Sequence, residues 1–188
     1  VSPHDPEAFV VGFLFTEEIV RVLDEIESIK RDGNVVSVLT KNPFRGGGGK
    51  KIVLSGCGGT TSHLDTKRLP KLTSPLTVPL PRIVEAMDQL LASRAEPVPG
   101  GIHTAALAGR EGPLLAASDI GLHNALDRAI GLALQAKRDL SRTFALSSDR
   151  ISSEMVRKCL VANIPLIASR GTPTSLAVDL AERTGLCA

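Results

Sequence analysis

The feature that most constrains this fold is the regular exchange, from residue 100 onward, of short apolar runs with amphipathic ones. "GGIHTAALAG" and "PLLAASDIG" read as paired strands, and "HNALDRAIGLALQAKR" as a helix burying Leu126, Ile130, Ala133 and Leu134. Then "TFALSSDR", "ISSEMVRKCLVAN", "IPLIASRG" and "TPTSLAVDLAERTG" read as strand, helix, strand and helix, the last closed by Gly185. Strand alternating with helix at this spacing predicts an α/β domain: a mostly parallel sheet with helices packed on it.

The first half carries fewer such signals. Asp5 is a candidate N-cap and Pro6 a first helical residue for "PEAFVVGFLF", an apolar opening helix. A short helix is expected over residues 18–23. Asp32-Gly33-Asn34 between two β-rich runs then predicts a hairpin. "KNPFRGGGGKK" is expected to be a mobile loop, and it is not a phosphate loop, because Phe44 and Lys51 stand where that motif needs Gly and Ser or Thr. A short strand from Ile52 leads into "LSGCGGTTSH", and proline-punctuated chain over residues 62–80 marks a subdomain boundary. From Pro81 a helix is expected with Ile83, Val84, Met87, Leu90 and Leu91 on one face. The expected organisation is a smaller N-terminal α+β lobe, residues 1–75, carrying the cysteine loop, and a main domain, residues 76–188.

A chain of 188 residues with 43% hydrophobic content suffices for one good core. Its 22 basic and 20 acidic side chains are interspersed, and five Phe with no Tyr or Trp offer little for bases to stack on, which argues against nucleic-acid binding. No apolar run is long enough to span a membrane, and three widely spaced cysteines argue against a disulfide framework, so a cytoplasmic protein is expected. The chain begins at Val1 and stops at Leu186-Cys-Ala188, and is read as truncated at either end.

In a parallel sheet the carboxyl ends of strands and the amino ends of the next helices share one edge, where ligands bind. Three such junctions are polar: residues 118–124, 147–152 and 169–175, with Arg150 and Arg170 among them. They are either an anion site, with helix N–H groups aimed at phosphate, or helix caps and nothing more. His103 and His123 are ligand-facing or simply hydrogen-bonded, and Asp127, one turn after His123, is a candidate partner for it. Zinc deamination is excluded, because His103 is followed by Thr104 and Ala105 and the chain has no C-x-x-C. Cys159 reads as a core residue on the face shared by Met155 and Val156. Cys57 is either a reactive thiol or a small residue in a tight turn, since glycine neighbours leave backbone N–H groups free to favour a thiolate.

In order, "DPEAFVVGFLFTE", "SGCGG", "GGIHTAAL", "SDIGLHNALDRAIG", "DRISSEMVRK" and "IPLIASRGTPTSLAVDLAE" resemble the formate dehydrogenase accessory protein family, FdhD. The resemblance implies a three-layer α/β/α cytidine-deaminase-like domain without zinc, usually a homodimer. It also implies a sulfur carrier: Cys57 would accept sulfane sulfur from a cysteine desulfurase as a persulfide. The sulfur would pass to the molybdenum or tungsten bis-pterin guanine dinucleotide cofactor of formate dehydrogenase. Cofactor contacts are expected from His103, Asp119, Gly121, His123, Asn124, Asp127, Arg150, Ser152, Thr172, Pro173, Thr174 and Ser175. Three departures fall on functional ground. The family's C-G-V-C-G has Thr60 at its second cysteine, and its E-D-[VI]-G-R-H-N-A has Ser118 for the acid and Leu122 for the arginine. A cofactor-binding chaperone without sulfur transfer and a generic nucleotide-binding module are the competing readings.

Overall fold

The computed structural model describes residues 5–33, 35–42, 69–93 and 101–188. The chain opens with α1 (Pro6–Thr16), whose N-cap Asp5 accepts a hydrogen bond from the Ala8 N–H at 3.2 Å. Strands β1 (Ile26–Asp32) and β2 (Val35–Thr40) pair antiparallel, with Asp32 opposite Val35 and Gly33 at φ 56° in the turn. The helix expected over residues 18–23 is instead a turn followed by one 3-10 turn, Leu23–Glu25. Glu18 takes a left-handed conformation, φ 56°, straight after α1, which stops helical propagation there.

Helix α2 (Leu80–Ala92) buries Ala86, Met87 and Leu90. Val84, expected on that face, is 52% exposed, because the stripe is centred on Ala86 and Leu90. Strands β3 (His103–Gly109) and β4 (Leu115–Asp119) are followed by α3 (Leu122–Gln135), β5 (Thr143–Ser147), α4 (Ser153–Val161), β6 (Ile167–Ser169) and α5 (Ser175–Thr184). Gly185 closes α5 at φ 78°.

The main sheet has the order β4-β3-β5-β6, and only the β5/β6 ladder is parallel; β3 runs antiparallel to both β4 and β5. The expectation of a mostly parallel sheet is corrected by the β3/β4 hairpin. A short loop forces β4 antiparallel to β3, and the α3 crossover then carries the chain past β3, leaving β3 between two strands that point the other way. Nonetheless β4, β5 and β6 point the same way, so their carboxyl ends share one edge with the start of β3.

Alternation along the central strands feeds two cores. Ala105, Leu107 and Ala145 face a cluster with Leu126, Ile130, Met155, Leu160 and Leu180, whereas Ala106, Ala108, Phe144 and Leu146 face Ala86, Met87 and Leu90 of α2. Helices thus cover both faces of the sheet, as the α/β reading requires. Cys159 is fully buried in the first cluster, and burial pushes its thiol up to about 12. Leu134, expected in the stripe of α3, is only half-buried.

Helix α1 packs on α3 at backbone contact. A Cβ on Gly12 would fall 1.7 Å from the Asp127 carbonyl oxygen, and one on Gly131 would fall 1.8 Å from that of Ala8. Only glycine at both positions permits this crossing. The approach also brings Thr16 and Glu17, at the end of α1, onto side chains of α3 and α4.

Candidate functional site

The three polar junctions meet at the carboxyl edge of β4, β5 and β6. Register places His103 opposite Asp119, Ala105 opposite Ser147, and Ser147 opposite Ser169. The loops after β5 and β6 are pressed together: a Cβ on Gly171 would fall 2.7 Å from the Arg150 nitrogen, and the Thr174 N–H donates to the Ile151 carbonyl at 3.0 Å. Hydroxyls knit the edge. The Ser147 and Ser169 hydroxyls both donate to the Asp149 carbonyl at 2.7 Å, and Ser148 Oγ accepts from the Thr104 N–H at 2.9 Å.

Two histidines stand over this floor. His103 Nδ1 lies 3.4 Å from Asp149 Oδ2 in a part-exposed pair. His123 Nε2 lies 2.9 Å from Ser152 Oγ, which also accepts the Met155 N–H at 3.3 Å as the N-cap of α4. With an acceptor position on that oxygen already used, its hydrogen is free to donate to Nε2, which suits an uncharged ring. Burial lowers the His123 pKa below the ordinary histidine value, and Lys158, His103 and Arg157 push it the same way against an opposing pull from Glu154.

The N-termini of α4 and α5 are capped from within, by Ser152 and by Thr174, whose Oγ1 accepts the Ala177 N–H at 3.3 Å. Helix α3 differs. Its N-cap position is Gly121, which has no side chain to offer, so no cap residue among the described residues satisfies its first-turn N–H groups. Arg150 is exposed at the rim, and its guanidinium makes no ion pair with a described residue; only its backbone N–H bonds Asp149 Oδ1, at 2.7 Å. Thr172, Pro173 and Ser175 are exposed beside it. A helix start without a side-chain cap and a guanidinium without an ion partner, both among the described residues, suit an anion.

Asp119, Asn124 and Asp127 are placed differently from the rest. Asp119 is 1% exposed, its carboxylate accepting from the Gly121 N–H at 3.0 Å, Asn124 Nδ2 at 3.2 Å and Arg128 Nη2 at 2.8 Å. Asp119 and Asn124 therefore brace the turn that presents Gly121 and His123. Asp127 does not pair with His123. It is buried beneath α1, with Oδ2 2.9 Å from Lys158 Nζ and Oδ1 accepting from the Thr16 hydroxyl at 2.7 Å. Cys57 and Thr60 lie outside the described residues. Among the described residues no group of three His, Cys, Asp or Glu side chains is placed to hold a metal ion, and no helix is long and apolar enough to cross a membrane.

A model of the FdhD/NarQ family matches residues 1–188. The chain belongs to that family. It is 32% identical over 196 residues to the sulfur carrier protein FdhD of Wolinella succinogenes, covering 98% of this chain and 67% of that protein. The sulfur carrier protein FdhD of Acinetobacter baylyi is 35% identical, over 98% of this chain and 72% of its own. Among solved structures, a candidate formate dehydrogenase accessory protein from Desulfotalea psychrophila superposes with a TM-score of 0.73 at 26% identity, covering 97% of this chain and 71% of that one.

In this FdhD/NarQ chain the sequence reading missed the buried ionic cluster behind the site. Lys158 Nζ also reaches Thr16 Oγ1 at 3.1 Å and Glu17 Oε1 at 3.2 Å. Arg157 donates to Glu17, to Glu154 Oε1 at 2.6 Å and to the Thr16 carbonyl at 2.9 Å. Burial alone would raise Glu17 and Glu154, but the Lys158 and Arg157 charges hold both carboxyls below their ordinary values. For Asp127 burial wins and the pKa is raised, with Lys158 and Thr16 pulling against it. Glu154 with Arg157 and Lys158 at i+3 and i+4 was the one local signal for this cluster. Glu17 and Asp127 are too far away in the chain to be read with them.

Proposed function

We propose that this chain is a sulfur carrier of formate dehydrogenase maturation, with Cys57 as the sulfur-carrying thiol. Its thiolate would attack the terminal sulfur of a persulfide on a cysteine desulfurase, forming the Cys57 S–S bond and releasing the desulfurase cysteine as thiolate. The sulfane sulfur changes carrier, and no external oxidant is needed. It would then pass to a molybdenum or tungsten bis-pterin guanine dinucleotide, held as cargo by its phosphates at the edge formed by Gly121, His123, Arg150, Ser152 and residues 172–175. The protein would act in the cytoplasm as a homodimer.

The observation that carries this reading is the family match over residues 1–188 with relatives named sulfur carrier proteins. The uncapped start of α3 beside the exposed Arg150 supports an anionic ligand. One sulfur atom of added mass is expected on the Cys57 peptide after incubation with a desulfurase and cysteine, and none on the peptides of Cys159 or Cys187. Cys57→Ala should abolish loading while leaving guanine nucleotide binding intact. Affinity equal for adenine and guanine nucleotides would instead indicate a generic nucleotide module.

Thr60, at the family's second cysteine, gives the chaperone reading its specific support. A cofactor-binding chaperone needs no sulfur chemistry, and formate dehydrogenase activity sustained by Cys57→Ala would decide in its favour. Light scattering tests the dimer.

A further inference from the structure

A cleft of about 470 Å³ opens at the opposite end of the sheet, where β3 ends and β4 and β5 begin. Arg110 from the β3/β4 hairpin, Arg138 from the chain after α3 and Arg142 from the 3-10 turn before β5 all line it. All three are exposed, and none makes an ion pair with a described residue. Two carboxylates line it as well, exposed Glu111 at the hairpin and Asp139, whose Oδ1 accepts from the Ser141 N–H at 3.0 Å and the Ser141 hydroxyl at 2.6 Å, so the three guanidiniums leave the lining net positive.

The backbone under each arginine is fixed. Arg82 Nη2 reaches across from α2 to the Gly112 carbonyl at 3.1 Å, holding the hairpin tip. Lys137 takes φ 52° to end α3, and the Arg138 N–H bonds the Ala133 carbonyl at 2.9 Å. The Arg142 N–H bonds the Asp139 carbonyl at 3.1 Å. Exposed Pro113 and half-buried Leu115 also line the cleft and give it an apolar part, with Leu107 buried beneath.

We propose that this cleft docks an acidic peptide segment of a protein partner, carboxylates on the three guanidiniums and an apolar side chain against Leu115 and Pro113. A phosphate group fits less well. The cleft offers charge on long side chains around apolar surface rather than converging backbone N–H groups. Guanidiniums match carboxylates bidentately, and the apolar lining gives the segment an anchor. The site lies away from the carboxyl edge, so both can be occupied at once, and the inference stands whether or not the chain carries sulfur.

Fluorescence anisotropy of the whole chain with a labelled synthetic peptide, alternating Asp and Glu around a central Leu, is the test. Saturable binding is expected near physiological salt. The charge reversal R110E/R138E/R142E should weaken it by about tenfold or more, while Arg183→Glu on α5 leaves it within about twofold. Replacing the peptide's Leu by Ser should cost about threefold or more. Indifference to that Leu, equal loss from Arg183→Glu, or no binding at all would overturn the proposal. So would inorganic pyrophosphate binding more tightly than the peptide and displacing it, which would make the cleft a phosphate site. Circular dichroism of the triple variant checks its fold. If it misfolds, three single Arg→Gln variants replace it, each expected to weaken binding about two- to fivefold, and unchanged binding in all three would overturn the proposal equally.

Discussion

His123 and Asp127 sit one turn apart on α3, yet their side chains belong to opposite chemical settings. Asp127 points into a closed cluster with Thr16, Glu17, Arg157 and Lys158, where each charge faces an opposite charge or a hydroxyl at hydrogen-bond distance. His123 stands at an open edge, bonded to Ser152, near the uncapped start of α3 and the exposed Arg150. The closed cluster uses its polarity to join α1 to α3 and α4. The open edge leaves polarity turned toward solvent, where a ligand can use it. A dense group of charged residues is therefore a weak pointer to function until it is known which way the charges face.

The contrast is broken most forcefully at Lys158. Lys158→Ala removes the ammonium that faces Asp127, Thr16 and Glu17; Glu17 keeps Arg157, but the Asp127 carboxylate is left buried under α1 without its cation. A loss of about 3–5 kcal/mol in urea unfolding is expected. Lys158→Met combined with Asp127→Asn should recover part of it, and the folded fraction should bind nucleotide as the parent does. If Lys158→Ala unfolds like the parent, the cluster is not what secures α1.

Gly131→Ala attacks the same join through shape alone. Its new methyl would lie 1.8 Å from the Ala8 carbonyl oxygen, so α1 must move off α3. Overpacking of this kind costs about 1–3 kcal/mol, and thermal unfolding should report it. Gly112→Ala, in the exposed hairpin, has no backbone clash to relieve, though its φ of 93° is itself unfavourable for alanine. A smaller loss at Gly131 than at Gly112 would show that the helix crossing has room to spare.

These positions also mark the limit of what sequence alone conveys. The elements from β3 to α5 were legible because each has local cues: alternation in "HTAALAG", a serine cap before α4, a glycine after α5. Strand direction was not, because "mostly parallel" was inferred from alternation whereas the β3/β4 hairpin decides it. The edge residues His103, His123, Arg150 and Ser152 were legible, because strand-to-helix junctions converge for any arrangement in which β4, β5 and β6 run together. Asp127 was misassigned for a physical reason: helical spacing gives proximity to His123, but only the glycine-mediated approach of α1, invisible in local pattern, turns it toward Lys158.

Arg150→Ala tests the open edge. Exposed and without an ion pair among the described residues, Arg150 should matter little to unfolding, whereas guanine nucleotide binding should weaken by about 1–3 kcal/mol if its guanidinium meets a phosphate. Calorimetry showing unchanged affinity together with reduced stability would place Arg150 with the structural residues and remove it from the site.

The smallest effect expected comes from His123 and concerns pH. Burial holds its pKa in the folded protein below that of the unfolded chain, so between those two values the unfolded state binds more protons. Stability from this group is therefore fully present above the unfolded value, near 6.5, and is lost as pH falls through the lower folded value. His123→Gln should flatten the acid side of the stability profile relative to the parent while leaving the neutral side shifted by no more than the loss of the Ser152 hydrogen bond, about 1 kcal/mol. The acid-induced loss should shrink when ligand is present if a bound anion stabilises the protonated ring, since the anion would raise the folded pKa toward the unfolded one. Asp127 moves the other way. Its raised pKa means the folded state binds more protons, so its contribution is fully present below the unfolded carboxylate value and is lost as pH rises through the raised folded one. Urea midpoints measured from pH 4 to 8 can therefore separate the two neighbours on α3, and a His123→Gln profile parallel to the parent throughout would mean that the open edge does not hold its histidine uncharged.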